Sequence, residues 1–327
     1  MAYAMVAEKA GGSSVFKKQS IELPKPKKGE VLIRQTAIGI NYIDVYHRTG
    51  LYPPPGGEFP AILGSEGAGV VQGVGAGVTG LRPGDKVAYT APGGAYATHR
   101  VIDADKLVKI PSGVKDEVAA AAMLKGLTAH YLIHDSYKVK PGDTVLFHAA
   151  AGGVGLIAGQ WLKAKGVTAI GTAGSKEKCA LARKNGYAKC IDYTKQDFVD
   201  EVRKITKGAG VQAVYDSVGK DTYRGSLQCL KRHGSLVCFG QSSGPIEDFK
   251  LGDLSAYGSL YATRPTLFAF ISERKELERR SKALFKAIKD GEVKIQVNQT
   301  FELDKVKAAH DALEKRQTTG QTVLVVS

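Results

Sequence analysis

The stretch that decides the fold is TVLFHAAAGGVG, residues 144–155. A predicted strand, Thr144 to His148, leads into a turn of small residues, and a predicted helix, Gly155 to Lys165, follows it. This is the context that the dinucleotide-binding pattern G-x-G-x-x-G requires, here with Ala150 in the first glycine position. Small residues let the backbone approach a pyrophosphate, and the helix N-terminus offers N–H groups and the positive end of its dipole. The stretch predicts a dinucleotide-binding turn at Ala151, Gly152, Gly153, Val154 and Gly155.

Strands and helices alternate regularly after this turn. The predicted strands are Thr168 to Thr172, Lys189 to Asp192, Gln212 to Asp216, Ser235 to Phe239 and Gly258 to Thr263. The predicted helices between them are Lys176 to Lys184, Asp197 to Thr206 and Thr222 to Leu230. Such alternation predicts a parallel sheet with helices on both faces. The fold class is therefore α/β, with a doubly wound cofactor domain over residues 125–263.

Residues 1–124 are β-rich. Val31 to Ile38 alternates as a strand does, and residues 64–80 carry glycines with valines between them. Closely spaced turn sequences, for example Pro53 to Gly57, favour short strands in a small barrel-like domain. The tail contains two predicted helices and a strand, at residues 273–289, 305–315 and 322–326. Because this tail is too small to form a domain alone, we expect residues 264–327 to join residues 1–124 in one domain.

The composition is that of a globular protein, with 43% hydrophobic and 24% charged residues in a chain of 327. No stretch approaches the ~18 apolar residues of a membrane helix. The first twelve residues lack a charged segment followed by an apolar one, so we expect no secretory signal. The four cysteines are too far apart for a disulfide framework or a zinc knuckle. These features favour a cytoplasmic protein with reduced, buried cysteines.

The chain has a formal net charge of +14, from 46 basic and 32 acidic residues. A charge of this size keeps a nucleic-acid-binding protein open as an alternative class. The excess is spread as +3 over residues 1–124, +7 over residues 125–263 and +4 over residues 264–327. Basic clusters are short, as at Lys25 to Lys28, so the charge does not by itself indicate a nucleic-acid footprint.

The residues that end the second predicted strand of the α/β region indicate whether NAD or NADPH binds. NAD-binding chains place a carboxylate there, about 20 residues after the glycine pattern, to bind the ribose hydroxyls. Residues 171–178 read GTAGSKEK, with a small turn at Gly174 and no carboxylate at the strand end. Ser175, Lys178 and the following helix N-terminus would attract a 2′-phosphate, so the segment predicts NADPH. Alternatively, Ser175 is only a helix cap and Lys178 a solvated side chain, although both roles can coexist.

Several motifs together resemble the medium-chain dehydrogenase/reductase superfamily. They are GSEGAGV at residues 64–70, KGLTA at 125–129, AAxGxxG at 149–155 and YDSVG at 215–219. Asn41-Tyr42, Tyr46, Tyr52 and FGQSSG at residues 239–244 narrow the likeness to the zinc-free quinone oxidoreductase branch, the ζ-crystallin-like enzymes. The resemblance spans essentially the whole chain. It implies a GroES-like domain made from both chain ends and a Rossmann domain, with the active site in the cleft between them.

The resemblance also bears on metal binding. Zinc-dependent relatives supply a Cys near the start of the first motif, a His before the Glu of the second and usually a Cys before the Thr of the third. This sequence has Asn41, Ser65 and Leu124 at these positions, and none is a usual zinc ligand. Without zinc there is no Lewis acid to ionise an alcohol. We therefore expect no metal site, and reduction of a conjugated acceptor rather than oxidation of an alcohol.

The resemblance implies transfer of reducing equivalents from NADPH to quinones or similar conjugated carbonyls. Similar enzymes bind NADPH through residues that match Ser175, Lys178, Tyr193, Ser217, Arg264 and Arg316. We expect the nicotinamide to lie beside Asn41, Thr128, Phe239, Gly240, Ser242 and Ser243. Tyr46 and Tyr52 are candidate donors to the oxygen that gains charge, with packing against Pro53 to Pro55 as the alternative.

Two other functions stay open on the sequence. One is an NADPH-dependent 2-alkenal or enone reductase, and the other is a ζ-crystallin-like RNA-binding protein. Relatives of this kind pair through the outer strands of the parallel sheet, for which Ser235 to Phe239 and Gly258 to Thr263 are the candidates. We therefore expect a homodimer.

Overall fold

The computed structural model describes residues 1–326. Its strands are β1 (Tyr3–Ala7), β2 (Phe16–Ser20), β3 (Glu30–Gly39), β4 (Ala61–Ile62), β5 (Glu66–Val74), β6 (Lys86–Thr90), β7 (His99–Asp103), β8 (Leu107–Lys109), β9 (Thr144–Phe147), β10 (Thr168–Ala173), β11 (Lys189–Asp192), β12 (Val211–Asp216), β13 (Leu230–Cys238), β14 (Tyr261–Thr263), β15 (Val297–Glu302) and β16 (Gln321–Val325). Its α-helices are α1 (Tyr42–Thr49), α2 (Asp116–Tyr131), α3 (Gly153–Ala164), α4 (Lys176–Lys184), α5 (Phe198–Ile205), α6 (Tyr223–Cys229), α7 (Leu251–Ala256), α8 (Leu267–Phe270), α9 (Arg274–Lys289) and α10 (Val306–Glu314). Within residues 1–326, no helix has the length and apolar character needed to cross a membrane.

One compact unit contains residues 1–125, 271–289 and the chain from residue 295 onward. Its larger sheet has the strand order β15-β16-β3-β5-β6-β8, and β7 also pairs with β3. A smaller sheet has the order β2-β1-β4. The C-terminal strand β16 runs antiparallel to β3, with Val323 opposite Gly39. The C-terminal strand therefore completes a sheet whose other strands come mostly from the first 109 residues.

The core of this first unit follows from the alternation of β3. Val31, Ile33 and Ile38 are fully buried, and they belong to one apolar cluster with Tyr89 and Leu324. Val31 and Ile33 face the same side because alternate side chains of a strand do so. Ile38 has the opposite parity, and it joins the same cluster beyond an irregularity in the pairing of β3 with β5 between Gln35 and Ala37.

The other compact unit contains residues 126–270 and 290–294. Its six strands are all parallel and have the order β11-β10-β9-β12-β13-β14. The chain starts at the centre with β9, builds outward on one side, and then returns to build the other side. In doubly wound sheets ligands bind at the carboxyl ends of the strands where this order reverses. Here that place is the end of β9 and its neighbours β10 and β12.

The predicted α/β fold class is confirmed, with a β-rich unit and a doubly wound parallel sheet. The strand predicted from Ser235 begins earlier in the structure, since β13 starts at Leu230. The sequence does not predict α1, α7 or α8, which are eight, six and four residues long.

The predicted domain ranges, residues 1–124 with 264–327 and residues 125–263, stay a proposal. The compact units place residues 264–270 and 290–294 with the parallel sheet. Gln160 on α3 binds the second of these segments through both backbone groups of Lys294. Its Nε2 donates to the Lys294 carbonyl at 3.1 Å, and its Oε1 accepts from the Lys294 N–H at 2.8 Å.

Candidate active site

The predicted dinucleotide turn lies between β9 and α3. Ala149 has a φ of 53°, in the left-handed region, and begins the turn that leads to Gly152, the N-cap of α3. No side chain caps this helix. The first-turn amides of such a helix suit an anionic ligand. A Cβ on Gly155 would lie 2.5 Å from the carbonyl oxygen of Ala149, so the close approach of α3 to the turn requires glycine there.

The second loop joins β10 to α4. Ser175 is the N-cap of α4, and its hydroxyl accepts the backbone N–H of Lys178 at 3.2 Å. The capping role that the sequence left open is therefore present, and it leaves the half-buried Lys178 side chain in the first turn of the helix. A Cβ on Gly174 would lie 2.6 Å from the Tyr193 hydroxyl, which brings these two predicted cofactor residues together.

The third and fourth loops follow β12 and β13 and bind each other. Ser242 donates its backbone N–H to the carbonyl of Ser217 at 3.1 Å, and Ser243 donates to the carbonyl of Val218 at 2.9 Å. A Cβ on Gly240 would lie 2.7 Å from the Ser217 carbonyl oxygen, so this contact also needs glycine. The ring of Phe239 lies 5.6 Å from that of Phe147 at the end of β9. The structure thus brings together the predicted residues of these two loops.

Other predicted site residues are distributed over the two units. Thr128 is buried on α2, in the unit of the parallel sheet. Arg264 is exposed after β14 in the same unit, and its Nη1 donates to the carbonyl of Pro265 at 3.3 Å. Arg316 belongs to the first unit, where it follows α10 with a φ of 56°.

Three tyrosines form an aromatic cluster around α1. The rings of Tyr42 and Tyr46 are 5.4 Å apart, and those of Tyr46 and Tyr52 are 5.2 Å apart, both edge to face. The backbone N–H of Tyr52 donates to the carbonyl of Tyr46 at 3.1 Å. Burial raises the pKa of Tyr42, so its hydroxyl stays protonated and able to donate at neutral pH. The cluster therefore groups three phenol side chains beside Asn41 and α1.

Asn41, immediately before α1, is held by a buried ion pair. Its Nδ2 donates to Oε1 of Glu66 at 2.9 Å. The same Glu66 oxygen accepts from Nζ of Lys125 at 2.7 Å, and Oε2 accepts the backbone N–H of Leu124 at 2.6 Å. Glu66 is fully buried and Lys125 is 7% exposed. Because a buried carboxylate needs donors and a counter-charge, this set satisfies Glu66 and orients the Asn41 amide.

A second buried carboxylate, that of Asp44, lies in the first turn of α1. Asp44 accepts from the Ser65 hydroxyl at 2.7 Å, the Tyr96 hydroxyl at 2.9 Å and the Asn41 backbone N–H at 2.9 Å. Burial raises the pKa of Asp44 to about 6. The Tyr96 hydroxyl also contacts Nε2 of His310 on α10 at 2.9 Å. These contacts connect α1 to the C-terminal helix within the first unit.

The positions that hold zinc in metal-dependent relatives are occupied by residues with other bonds. Asn41 presents its amide nitrogen to Glu66, and Ser65 donates its hydroxyl to Asp44. Lys125 places an ammonium group against Glu66. Across residues 1–326, no group of three or more His, Cys, Asp and Glu side chains has an arrangement suited to a metal ion. The donor set here does not fit zinc.

Comparison with known proteins identifies the family. A model of the alcohol dehydrogenase GroES-like domain matches residues 27–112, and a model of the zinc-binding dehydrogenases matches residues 153–279. A quinone oxidoreductase of Pseudomonas aeruginosa is 48% identical over 96% of this chain and 97% of its own length. The chain belongs to the quinone oxidoreductase family of the medium-chain dehydrogenases/reductases. The family resemblance read from the motifs is thus confirmed, and the chain is an oxidoreductase.

Two further members of this family are similar along their whole length. A 2-haloacrylate reductase of Burkholderia sp. is 44% identical over 99% of each chain. The crystal structure of an Escherichia coli quinone oxidoreductase complexed with NADPH is 44% identical over 99% of each chain, with a TM-score of 0.96.

The sequence does not reveal several residues that shape the site. The motif Asn41-Tyr42 includes Tyr42 but gives it no role in the site. Its i, i+4 spacing from Tyr46 is the signal that could have placed it in the aromatic cluster. Glu66 and Lys125 are 59 positions apart, and no local pattern pairs them. His148 follows β9 and Asp216 ends β12, inside stretches that the sequence does identify. Their side chains are buried and are connected only in the fold, through Ser226.

Proposed function

We propose that this chain is an NADPH-dependent quinone reductase that works without zinc. The observation that carries the proposal is the set of loops at the carboxyl ends of β9, β10, β12 and β13, with a glycine turn before an uncapped helix. A dinucleotide fits this set because small residues leave its surface open and α3 offers amide donors to a pyrophosphate. The Escherichia coli relative, crystallised with NADPH, supports the same assignment.

The second loop favours NADPH over NADH. No carboxylate lies between Gly171 and Ser175, so the loop after β10 lacks the acid that binds the ribose hydroxyls in NAD-binding chains. Ser175, Lys178 and the N-terminus of α4 would bind that phosphate, with Tyr193 beside them at Gly174. Ser217, Arg264 and Arg316 are proposed as further cofactor contacts on the family resemblance alone.

When bound, NADPH supplies a hydride to an electron-poor acceptor. The residues of this chain then have three tasks. The amide of Asn41, held by Glu66, and the buried Thr128 are proposed to border the reacting rings. The hydroxyls of Tyr46 and Tyr52 donate to the acceptor oxygen as it gains negative charge. The aromatic cluster excludes water from one face of a flat acceptor, and solvent returns the proton that the reduced product needs.

The reaction is proposed to need no metal. The ammonium group of Lys125 neutralises Glu66, and Asn41 and Ser65 present donor hydrogens to carboxylates rather than lone pairs to a cation. A quinone is already electrophilic and needs no Lewis acid, whereas ionising an alcohol does. Quinone reduction is therefore the chemistry that these residues suit.

The deciding experiment is NADPH consumption by the purified chain with a panel of quinones, with and without a zinc chelator. We expect turnover with 1,2-naphthoquinone and 1,4-benzoquinone, with the same rate in chelator. Loss of activity in chelator that added zinc restores would overturn the metal-free proposal. Consumption of NADH at the rate seen with NADPH would overturn the cofactor assignment.

A second candidate is reduction of a conjugated carbonyl or carboxylate, which the Burkholderia 2-haloacrylate reductase favours. The same donors would stabilise the enolate oxygen that forms in such a reduction. A 2-enal and 2-chloroacrylate are therefore included beside the quinones. A specificity constant for either that exceeds those of the quinones would make this the main activity.

We also infer that two copies of the chain pair through β14. The structure corrects one of the two predicted pairing strands, since β13 lies between β12 and β14 and both its edges are used. Within the described residues, β14 pairs on one side only, with β13. Tyr261 on β14 is 65% exposed and Leu251 on the preceding α7 is 79% exposed. An open edge beside exposed apolar side chains is suited to a second copy.

A further inference from the structure

Four polar side chains form a buried hydrogen-bonded chain across three neighbouring strands of the parallel sheet. His148 follows β9, Thr172 lies near the end of β10, Asp216 ends β12, and Ser226 is on α6. Nδ1 of His148 is 2.9 Å from Oγ1 of Thr172, and its Nε2 is 3.0 Å from Oγ of Ser226. The Ser226 hydroxyl donates to Oδ2 of Asp216 at 2.9 Å. Each of the four residues is at most 1% exposed.

The direction of each hydrogen bond in this buried chain follows from Asp216. A carboxylate only accepts, so Ser226 gives its proton to Asp216 and its oxygen accepts from His148 Nε2–H. Burial lowers the pKa of His148, which keeps the ring neutral, so Nδ1 carries no proton and accepts the Thr172 O–H. Donation therefore runs one way, from Thr172 through His148 and Ser226 to Asp216.

Asp216 also connects the buried chain to the loops at the carboxyl ends of the strands. Its Oδ1 accepts the backbone N–H of Val218 at 2.8 Å and of Gly219 at 3.0 Å. That loop in turn binds the loop after β13 through the carbonyls of Ser217 and Val218. The buried chain is thus anchored directly to the ends of the strands that carry the proposed cofactor loops.

The buried chain begins where the regular strand pairing ends. Phe147 is the last residue of β9 in register with both neighbours, opposite Gly171 of β10 and Tyr215 of β12. Beyond it, two backbone bonds remain, from His148 N–H to the Tyr215 carbonyl and from Ala150 N–H to the Thr172 carbonyl. The next connection is made by the His148 side chain, which bonds Thr172 of β10 directly and reaches Asp216 of β12 through Ser226 of α6.

We propose that Thr172, His148, Ser226 and Asp216 are a positioning unit that fixes the spacing of the loops after β9, β10 and β12 and thereby sets the affinity for the whole dinucleotide. This inference rests on the proposed NADPH site. A ligand that spans several loops depends on their spacing, whereas a fragment that occupies one loop does not. Comparing the two kinds of ligand therefore separates positioning from a general loss of folded protein.

The test uses the full chain and two variants that remove one hydroxyl each, Thr172→Val and Ser226→Ala, alone and combined. Dissociation constants are measured by fluorescence or calorimetric titration for NADPH and for adenosine 2′-monophosphate, which carries only the adenosine end. The double variant removes all three hydrogen bonds of the buried chain. We therefore expect it to bind NADPH at least about tenfold more weakly, with less than a threefold change for adenosine 2′-monophosphate.

Two controls separate a positioning role from a structural one. Thr206→Val removes a hydroxyl that donates to the Val202 carbonyl at the end of α5, away from the loops, and should leave both affinities unchanged. Thr172→Ser keeps the hydroxyl and should bind NADPH as the wild type does. Equal weakening of both ligands in the double variant, or no weakening of NADPH, would overturn the positioning role. A wild-type chain that binds neither ligand would instead overturn the proposed function.

The direction of donation has its own readout. Nitrogen NMR of labelled wild-type chain should show His148 with a protonated Nε2 and an unprotonated Nδ1, unchanged from pH 6 to pH 8. The opposite tautomer, or a charged ring in that range, would overturn the one-way chain.

Discussion

At the scale of single residues, Lys178 is the side chain on which selection for the 2′-phosphate depends. We expect Lys178→Ala to raise the KM for NADPH by about 10-fold or more, since a hydrogen bond to a charged group contributes about 1.5–3 kcal/mol. The KM for NADH should change little, because NADH carries no phosphate there. Lys176→Ala is the matched control, as Lys176 is an exposed lysine in the same helical turn. Steady-state kinetics with both cofactors measure the effect, and equal changes for NADPH and NADH would contradict the assignment.

Two buried titratable residues on either side of Tyr96 have pKa values shifted in opposite senses. Burial raises the pKa of Asp44 from 3.8 to about 6. Burial and the charge of Arg48 lower the pKa of His310 from 6.5 to about 3. Between pH 4 and 6 the folded state therefore holds a proton on Asp44 that the unfolded state has lost, and lacks a proton that the unfolded state has gained at the histidine.

These two shifts should nearly cancel in the pH dependence of stability. Asp44 makes the free energy of unfolding fall as pH rises from about 4 to 6, and His310 makes it fall as pH drops from about 6.5, each by about 1.4 kcal/mol per pH unit. We expect His310→Gln to become more stable relative to the wild type as the pH is lowered from 6 to 4. Asp44→Asn should become less stable over the same range.

Urea denaturation of the two variants and the wild type at half-unit steps of pH measures these slopes. The test is the sign of each slope of stability against pH. The absolute stability of each variant is less informative, because each substitution also changes a hydrogen bond to Tyr96 at every pH. Parallel curves for all three proteins would show that neither group titrates as the fold implies.

Residue identities could be predicted from the sequence only where a local motif defines them. The residues from Ala151 to Gly155 are recognisable because strand, turn and helix are adjacent in the chain. Ser175 is recognisable as a cap for the same reason. Glu66 and Lys125 are not, since their pairing depends on β5 and α2 meeting in the fold. His148 is adjacent to the turn, but its partners Thr172 and Ser226 are 24 and 78 positions away.

At the scale of elements, the junction of β9 and α3 depends on one glycine. A Cβ on Gly155 would lie 2.5 Å and 2.7 Å from the carbonyl oxygens of Ala149 and Ala150, which are backbone atoms that cannot move aside cheaply. We expect Gly155→Ala to lower the melting temperature and to weaken NADPH binding by at least about tenfold, because α3 must move away from the turn. Thermal unfolding and NADPH titration measure both effects.

Gly252→Ala is the control for that substitution. Gly252 lies in α7, and a Cβ there would meet no atom within 4 Å. Alanine is favoured over glycine in a helix by up to about 1 kcal/mol, so this variant should be as stable as the wild type or slightly more stable. An equal loss of binding in both variants would remove the close-packing argument for Gly155.

The periodic elements could be predicted and the short ones could not. The strands of the parallel sheet alternate with helices, so β9 to β12 and the second half of β13 follow from the pattern. The first half of β13, which contains Lys231, Arg232 and His233, does not. By contrast, α1 is only eight residues long and is rich in β-branched and aromatic residues, and α8 is only four residues long. Such helices are fixed by tertiary packing and by the contacts of Asn41 and Asp44 rather than by propensity.

At the scale of the whole molecule, the net charge of +14 is spread along the chain, and the sequence contains no long run of basic residues. Several basic side chains are paired locally, for example Arg274 with Glu278 and Lys86 with Asp116. A nucleic-acid footprint would instead leave a row of cations facing one partner. The proposed anionic cofactor uses a few of these charges, and the others need no nucleic-acid partner to account for them.

The proposed pairing of two copies is a property of the whole molecule that one edge strand controls. Lysine on an edge strand opposes sheet extension, because continuing the sheet would bury its charge. We therefore expect Tyr261→Lys with Thr263→Lys to convert a dimer into a monomer, as measured by light scattering coupled to size exclusion. Leu23→Lys is the control, since Leu23 is 45% exposed in the other compact unit and should leave the dimer intact. A wild-type chain that is monomeric at micromolar concentration, or a double variant that remains a dimer, would show that β14 is not the pairing edge.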